Sequence, residues 1–323
     1  MAQPLPGDIG SIDQPVASDA WVGSWHVVGQ LRVLVIGSGG REHALSLALS
    51  RDLAVIELHA APGNPGTAML GANHLVDPLD GRAVADLAIR LGVNLVVVGP
   101  EAPLVAGVAD AVRANGVPCF GPSAAAAQLE GSKAFAKQVM AAARVPTAGS
   151  RECVTRAQVD QALDRFGPPY VVKDDGLAAG KGVVVTEDRQ LAVEHAMKCR
   201  RVVIEEFLDG PEVSLFGITD GRTVQALQPA QDFKRVGDGD SGPNTGGMGA
   251  YTPLPWAPDD LAEDVTRTVL QPTIEEMARR GTPFSGLLYA VRGQRQVRRS
   301  GNSAAAGSAG DAARRAALRR GHR

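Results

Sequence analysis

The chain has 323 residues, with 33 Lys and Arg against 35 Asp and Glu, a formal net charge of −2, and 44% hydrophobic but only 4% aromatic residues. Near-neutral charge argues against a general nucleic-acid or membrane-surface binder, and no apolar run is long enough to span a bilayer. The three cysteines, Cys119, Cys153 and Cys199, fit neither a zinc spacing nor a disulfide framework, which points to a reducing, cytoplasmic setting. The length predicts at least two domains, with cores of Val, Leu, Ile and Ala.

Residues 1–30 are rich in Pro, Gly, Asp and Ser and lack a basic segment followed by an apolar core, so they read as a disordered extension rather than a signal peptide. The pattern sharpens at Leu31. Val33-Leu34-Val35-Ile36 has the apolar continuity of a buried parallel strand. The turn Gly37-Ser38-Gly39-Gly40 leads into a helix predicted over 41–50. A strand over 55–60, the turn Pro62–Thr67, a helix over 81–91 and a strand over 94–98 follow. Then come the loop Gly99–Val105, a helix over 107–115 and a strand over 117–120. This rhythm predicts a parallel sheet with right-handed crossovers. Its three connecting turns would lie at the carboxyl ends of the strands, where such sheets bind ligands.

Gly37-x-Gly39 invites a dinucleotide reading, but Glu42 stands where the third glycine belongs, and Glu57 falls inside the second strand rather than at its end. A smaller phosphate at Gly39, Gly40 and the following helix N-terminus needs fewer features. A plain βα turn would look the same.

Ser132 predicts the cap of a helix reaching about Ala143. Lys133 falls in the first turn of that helix, where the dipole disfavours a cation, so it calls for an anionic partner. Val145-Pro146-Thr147 reads as the start of a strand, and 157–166 as a helix. Next comes Tyr170–Val185, two β-branched runs around a loop with Gly176, Gly180, Gly182, Lys173 and Lys181. The loop fails the Walker pattern: Gly176 and Gly180 bracket three residues rather than four, and a strand follows rather than a helix. A hairpin that covers polyphosphate fits better, with a solvated Lys/Gly hairpin as the plain alternative.

A helix over 187–197 precedes a strand ending in Glu205-Glu206, a turn at Gly210-Pro211, and a strand opening at Glu212. Glu205 and Glu212 suit an adenine amino group and ribose hydroxyls, though an exposed acidic turn has the same composition. Residues 230–251 read as a long glycine-rich loop of the kind that carries function. A helix over 259–280 and a strand over 284–290 close the pattern.

Several of these segments resemble one family, the phosphoribosylamine–glycine ligases (glycinamide ribonucleotide synthetases) of the ATP-grasp class. They are Val33–Leu45, Ala61-Pro62-Gly63-Asn64, Gly99–Leu104, Leu129–Lys133, Lys173–Gly182, Glu205–Glu212, Gln231–Val236 and Gly242–Tyr251. The resemblance implies an α/β fold, with a parallel-sheet N-terminal domain over 31–130 and an incomplete ATP-grasp domain over 131–290 whose lid covers about 147–229. It implies an enzyme that joins glycine to 5-phosphoribosylamine through glycyl phosphate, with ATP and Mg2+ or Mn2+ as cofactors; the oligomeric state is left open with a monomer favoured, and no nucleic-acid or membrane partner is expected. Lys133, Lys173, Gly180, Lys181 and Gly182 would hold ATP phosphates, and Glu205, the Leu208 backbone and Glu212 the adenine and ribose. Gly39, Gly40, Asn64 and Glu101 would line the phosphoribosylamine site. Asp232, Lys234, Arg235, Asn244 and Thr245 would stand near glycine and the reacting phosphate.

Two departures stand out. Asp174 replaces the alanine of the family's Lys-Ala-Asp-Gly. Past Ala290 the family's Glu-Phe-Asn magnesium ligands and its final third are missing. Residues 291–323 read instead as an Arg-, Ala- and Gly-rich tail, like a frameshifted end, whose single acid is Asp311. These departures leave two other readings: an ATP-binding remnant without turnover, and an NAD-dependent oxidoreductase resting on Gly37-x-Gly39 alone.

Overall fold

The computed structural model describes residues 30–177, 182–210, 212–239, 241–293 and 304–305. The extension 1–29, Gly180, Lys181 and most of the tail lie outside the described residues.

The first unit runs β1 (Leu31–Gly37), α1 (Gly40–Leu49), β2 (Val55–Pro62), α2 (Pro65–Ala68), β3 (Ala72–Asn73), α3 (Gly81–Leu91), β4 (Leu95–Val98), α4 (Glu101–Val105), α5 (Val108–Ala114) and β5 (Cys119–Phe120). All strand pairs are parallel, in the order β3-β2-β1-β4-β5. Val33 to Ile36 are fully buried because helices cover both faces of the sheet. The helices obey their end signals: Asp80 accepts the Arg82 and Ala83 N–H groups at 3.0 Å each, and Gly92 stops α3 with φ 63°. Chain order reverses between β1 and β4, so the carboxyl ends of β1, β2 and β4 form a crevice. The turns Pro62–Thr67 and Gly99–Val105 are not wholly irregular, since α2 and α4 begin within them.

The second unit begins with α6 (Ala124–Gly131) and α7 (Lys133–Ala142). Ser132 caps α7 by accepting the Phe135 N–H at 3.1 Å. A strand was expected at 145–147, but Val145 and Ala148 are buried in an irregular segment around Pro146, which has no N–H for a ladder. A lid sheet follows from β6 (Ser150–Cys153), α8 (Arg156–Phe166), β7 (Tyr170–Asp174), β8 (Val183–Thr186), α9 (Arg189–Lys198) and β9 (Val202–Glu205). The order is β6-β9-β7-β8, all antiparallel, with α8 and α9 packed on Val172, Val202 and Ile204.

Beyond it stand β10 (Glu212–Asp220), β11 (Val224–Ala226), β12 (Gln231–Gly237), β13 (Ser241–Tyr251), α10 (Leu261–Val265), a π-helical turn (Thr266–Leu270), α11 (Gln271–Arg279), β14 (Ser285–Gly293) and β15 (Ala304–Ala305). Three expectations change here. Residues 212–226 were assigned to the lid, but β10 pairs with β14 from Glu212↔Gly293 to Asp220↔Ser285, so its hydrogen bonds go to the body. The glycine-rich stretch 230–251 is a hairpin, β12 on β13, with ladder shifts between Phe233 and Gly237 that an irregular, glycine-rich partner absorbs. The long helix over 259–280 is interrupted, because Pro272 removes a backbone donor and the π turn takes up the mismatch. At the outer edge of β14, Ala305 and Ala304 pair with Val291 and Arg292, so this edge is bridged over two residues. No helix among the described residues is long and apolar enough to cross a membrane.

Candidate nucleotide and substrate site

The charge centre of the second unit is Glu205, at the end of β9, where β9 runs beside β7 and faces α7. It is buried, and both carboxylate oxygens are taken: Lys173 Nζ lies 2.7 Å from Oε2 and Lys137 Nζ 3.3 Å from Oε1. Lys137 also donates to Thr147 Oγ1 at 2.7 Å and to the Ala148 carbonyl at 3.0 Å. Burial alone would push the Glu205 carboxyl up, but Lys173 and then Lys137 outweigh it and hold it below its ordinary value. Burial draws Lys137 down against the pull of Glu205.

Lys133 adds a third ammonium, which donates to the Gly176 carbonyl at 2.8 Å. Burial lowers it too, against the opposing field of Asp175. Lys173 and Lys137 share this one carboxylate, which leaves a surplus of positive charge, with Lys133 beside it, at the root of the Gly176–Gly182 loop. The Asp174 N–H closes that root on the Gly182 carbonyl at 2.7 Å. Such a surplus suits a polyanion.

Glu205 was expected at adenine or ribose; in this structure both of its carboxylate oxygens are engaged by lysines. Lys137 was missed, although it lies one helical turn after Lys133 and so on the same face. Leu208 is partly exposed in the segment after β9, and Glu212 opens β10. Asp232 stands on β12, where the Ser214 hydroxyl, itself 2.9 Å from the Tyr289 hydroxyl, approaches it at 3.4 Å. Thr245 Oγ1 accepts the Gly247 N–H at 3.1 Å. Lys234 and Arg235 on β12 and Asn244 on β13 are placed by their backbone alone; their side chains lie outside the described ones.

In the first unit the turns at the ends of β1, β2 and β4 are tied together. Glu42 reaches back to accept the Gly39 N–H at 2.6 Å, so this amide is already taken. A Cβ at Gly37 or Gly99 would collide with the buried Glu42 side chain, which needs both glycines. With Glu42 in place of the third glycine and bonded back to the Gly39 amide, the turn lacks the glycine fingerprint on which an NAD reading would rest. Gly40 stays open, with nothing near the place of a Cβ. Asn64 accepts from the Gly66 and Thr67 N–H groups at 2.8 and 3.0 Å and donates to the Ser38 and Gly39 carbonyls at 3.0 and 3.1 Å. It shapes the crevice as a brace between two turns.

Glu101 pairs with Arg41, whose Nη1 lies 3.2 Å from it and 2.8 Å from the Gly99 carbonyl oxygen. Arg41 was left out of the expected site as a plain helix residue. The signal was its position, because a cation in the first turn of a helix needs an acidic partner.

Glu130, at the end of α6, senses both groups. Burial first, then Glu101, push its carboxyl up to about 7 against the pull of Arg41. It lines a cavity of about 30 Å3 with Thr273 and Tyr289, large enough for a water. Because its folded value lies above the ordinary 4.5, the folded state keeps a proton that the unfolded chain releases. Its contribution is full below pH 4.5 and is lost as pH rises toward 7. Glu130→Gln is expected to gain on the parent across that window, by on the order of 2–3 kcal/mol at its upper end. Melting temperatures taken across the window check this, and parallel curves for the two proteins would refute it.

Residues 31–130 match the family described as phosphoribosylglycinamide synthetase, N domain, and residues 131–292 match its ATP-grasp (A) domain. The chain is 69% identical over 260 residues to the phosphoribosylamine–glycine ligase of Streptomyces coelicolor, covering 80% of this chain and 62% of that protein. It is 59% identical over 268 residues to the Mycobacterium leprae protein of the same name, covering 80% and 64%. The chain thus spans less than two thirds of the length of these curated relatives. It is similar to the crystal structure of phosphoribosylamine–glycine ligase from Thermotoga maritima, with TM-score 0.73 and 31% identity over 85% of this chain and 67% of that one. An N5-carboxyaminoimidazole ribonucleotide synthetase from Thermus thermophilus shares the fold, with TM-score 0.62 and 18% identity over 84% of this chain and 69% of that one. With both of its units matched in order, the chain belongs to the phosphoribosylglycinamide synthetase family.

Proposed function

We propose that the chain holds the ATP-binding and amine-binding parts of a ligase that joins glycine to 5-phosphoribosylamine. The observation that carries this is the group of Lys133, Lys137 and Lys173 around Glu205, beside a glycine-rich loop, in a chain 69% identical to a protein named for that reaction. ATP would phosphorylate the glycine carboxylate, and the amine would attack the acyl carbon and expel phosphate. Lys133, Lys173, Gly180, Lys181 and Gly182 receive the ATP phosphates, and the Leu208 backbone and Glu212 the nucleoside. Gly40, Glu101 and Arg41 face phosphoribosylamine in the crevice that Gly39 and Asn64 shape. Asp232, Lys234, Arg235, Asn244 and Thr245 attend glycine and the transferred phosphoryl group. Catalysis here is positioning and charge neutralisation.

The family resemblance also implies Mg2+ or Mn2+. The donor set does not fit it: among the described residues no group of three or more His, Cys, Asp or Glu is placed to hold a cation, and Val291–Gly310 has no acid. No step is derived through a metal. This mismatch favours a second reading, in which the chain binds ATP without turnover.

Calorimetric titration with ATP tests the common part of both readings. Lys133→Ala and Lys181→Ala should each weaken binding by about 1.5–3 kcal/mol, the worth of a charge-assisted contact. Unchanged affinity in both variants would show that the lysines only decorate the hairpin.

A further inference from the structure

Asp175 has no part in the scheme above, yet its side chain is completely enclosed. It stands one residue past β7. Its Oδ1 accepts the Ala134 N–H at 3.0 Å and lies 3.1 Å from the Ser132 hydroxyl, and Oδ2 lies 3.2 Å from the same hydroxyl. Arg201 Nη2 lies 2.5 Å from Oδ2, and the Asp175 N–H donates to the Arg201 carbonyl at 3.0 Å. These partners come from the start of α7 in the body and from the residue before β9 in the lid. One carboxylate therefore joins two parts of the unit.

The seat it occupies is the N-terminus of a ten-residue helix, where backbone donors and the dipole favour an anion. Here the anion comes from the chain itself. Lys133 lies between Ser132 and Ala134, and its ammonium meets the carbonyl of Gly176, the residue after Asp175. Seating Asp175 on α7 thus fixes two things together: where the loop leaves β7, and how far its first glycine stands from Lys133.

We propose that Asp175 is the positioning residue that registers Gly176, at the loop root, with Lys133, so that the two meet a nucleotide's phosphates as one unit. This deepens the ATP reading and rests on it. Asp175 acts through Gly176 and Lys133 rather than by touching the ligand. Its loss should therefore be felt by the phosphates and not by the nucleoside.

The test compares ATP with adenosine, by calorimetry on the full chain. Asp175→Asn keeps the side-chain shape but turns an amide toward Arg201 in place of a carboxylate oxygen. It should weaken ATP on the order of tenfold, as expected for one charge-assisted contact, and adenosine by less than about twofold. Asp175→Gly empties the seat on α7, and added formate, a free carboxylate, should restore much of its ATP affinity while leaving Asp175→Asn unimproved. Arg201→Met leaves the carboxylate on α7 and should show the same phosphate-selective loss in weaker form, which keeps the idea testable if Asp175→Gly does not fold.

Equal losses of ATP and adenosine would mark Asp175 as merely structural and overturn the proposal, as would parent-like ATP affinity in Asp175→Asn. A parent chain that binds adenosine and ATP equally would overturn the ATP reading itself, and this inference with it.

Discussion

Glu205→Ala is expected to cost about 3–5 kcal/mol of stability, the penalty for breaking a buried ion pair from one side, and to abolish ATP binding. The carboxylate is buried, and so is Lys173; the Lys137 side chain is 11% exposed. Removing the acid strands two ammoniums in a seam that water does not reach, and each must then lose its proton or its place. Either outcome removes positive charge from the phosphate side of the cleft. Glu205→Gln should cost less, because an amide oxygen still accepts from one lysine.

The acid limb of the stability curve gives an independent check. The folded Glu205 carboxyl titrates below the ordinary 4.5. Its contribution is therefore present above 4.5 and lost as pH falls through the lower folded value. In Glu205→Ala that part of the acid limb should flatten. Urea midpoints at constant slope measure the main effect. A loss under about 1 kcal/mol, the range of exposed pairs, would mean that the lysine group is open to water after all.

The elements that local rules control were legible from the residues. The buried run Val33–Ile36, the caps Asp80 and Ser132 and the antiparallel pairing of β7 with β8 all follow from side-chain chemistry within a few positions. Long-range pairing was not legible. Glu205 serves Lys173 because β7 and β9 lie side by side, 32 residues of chain apart, and no local pattern shows that neighbour. The 231–251 hairpin was hidden because six of its residues are glycine, which reads as loop until the opposing strand is known. Asn64 entered the expected site through the family resemblance, and Glu42 only as the residue that breaks the dinucleotide pattern. Both spend their hydrogen bonds on holding the turns in shape, which no local pattern showed.

The chain as written is expected to bind ATP yet release phosphate at least about a hundredfold more slowly than a chimera in which the corresponding part of the Streptomyces coelicolor relative replaces residues 291–323; removing one major electrostatic stabiliser of a transition state typically has that effect. A transferring γ-phosphoryl group spreads negative charge over its oxygens, and lysines alone do not gather the attacking and leaving oxygens as a metal does. The binding side of the site needs none of the replaced segment: Lys133, Lys137, Lys173 and Glu205 all precede it, and β14 is already paired along β10. The chemical side is different. Between Val291 and Gly310 the chain has four arginines and no acid, so this stretch repels a cation where the family resemblance asks for carboxylate and amide ligands. Binding and turnover should therefore separate. Both proteins should bind ATP within about threefold of each other, while phosphate release with glycine and phosphoribosylamine present should appear in the chimera alone. Equal release by both would mean that acids already in the described chain, Asp232 or Glu212 among them, gather the metal once ATP brings its phosphates, and the argument from the 291–310 stretch would fall.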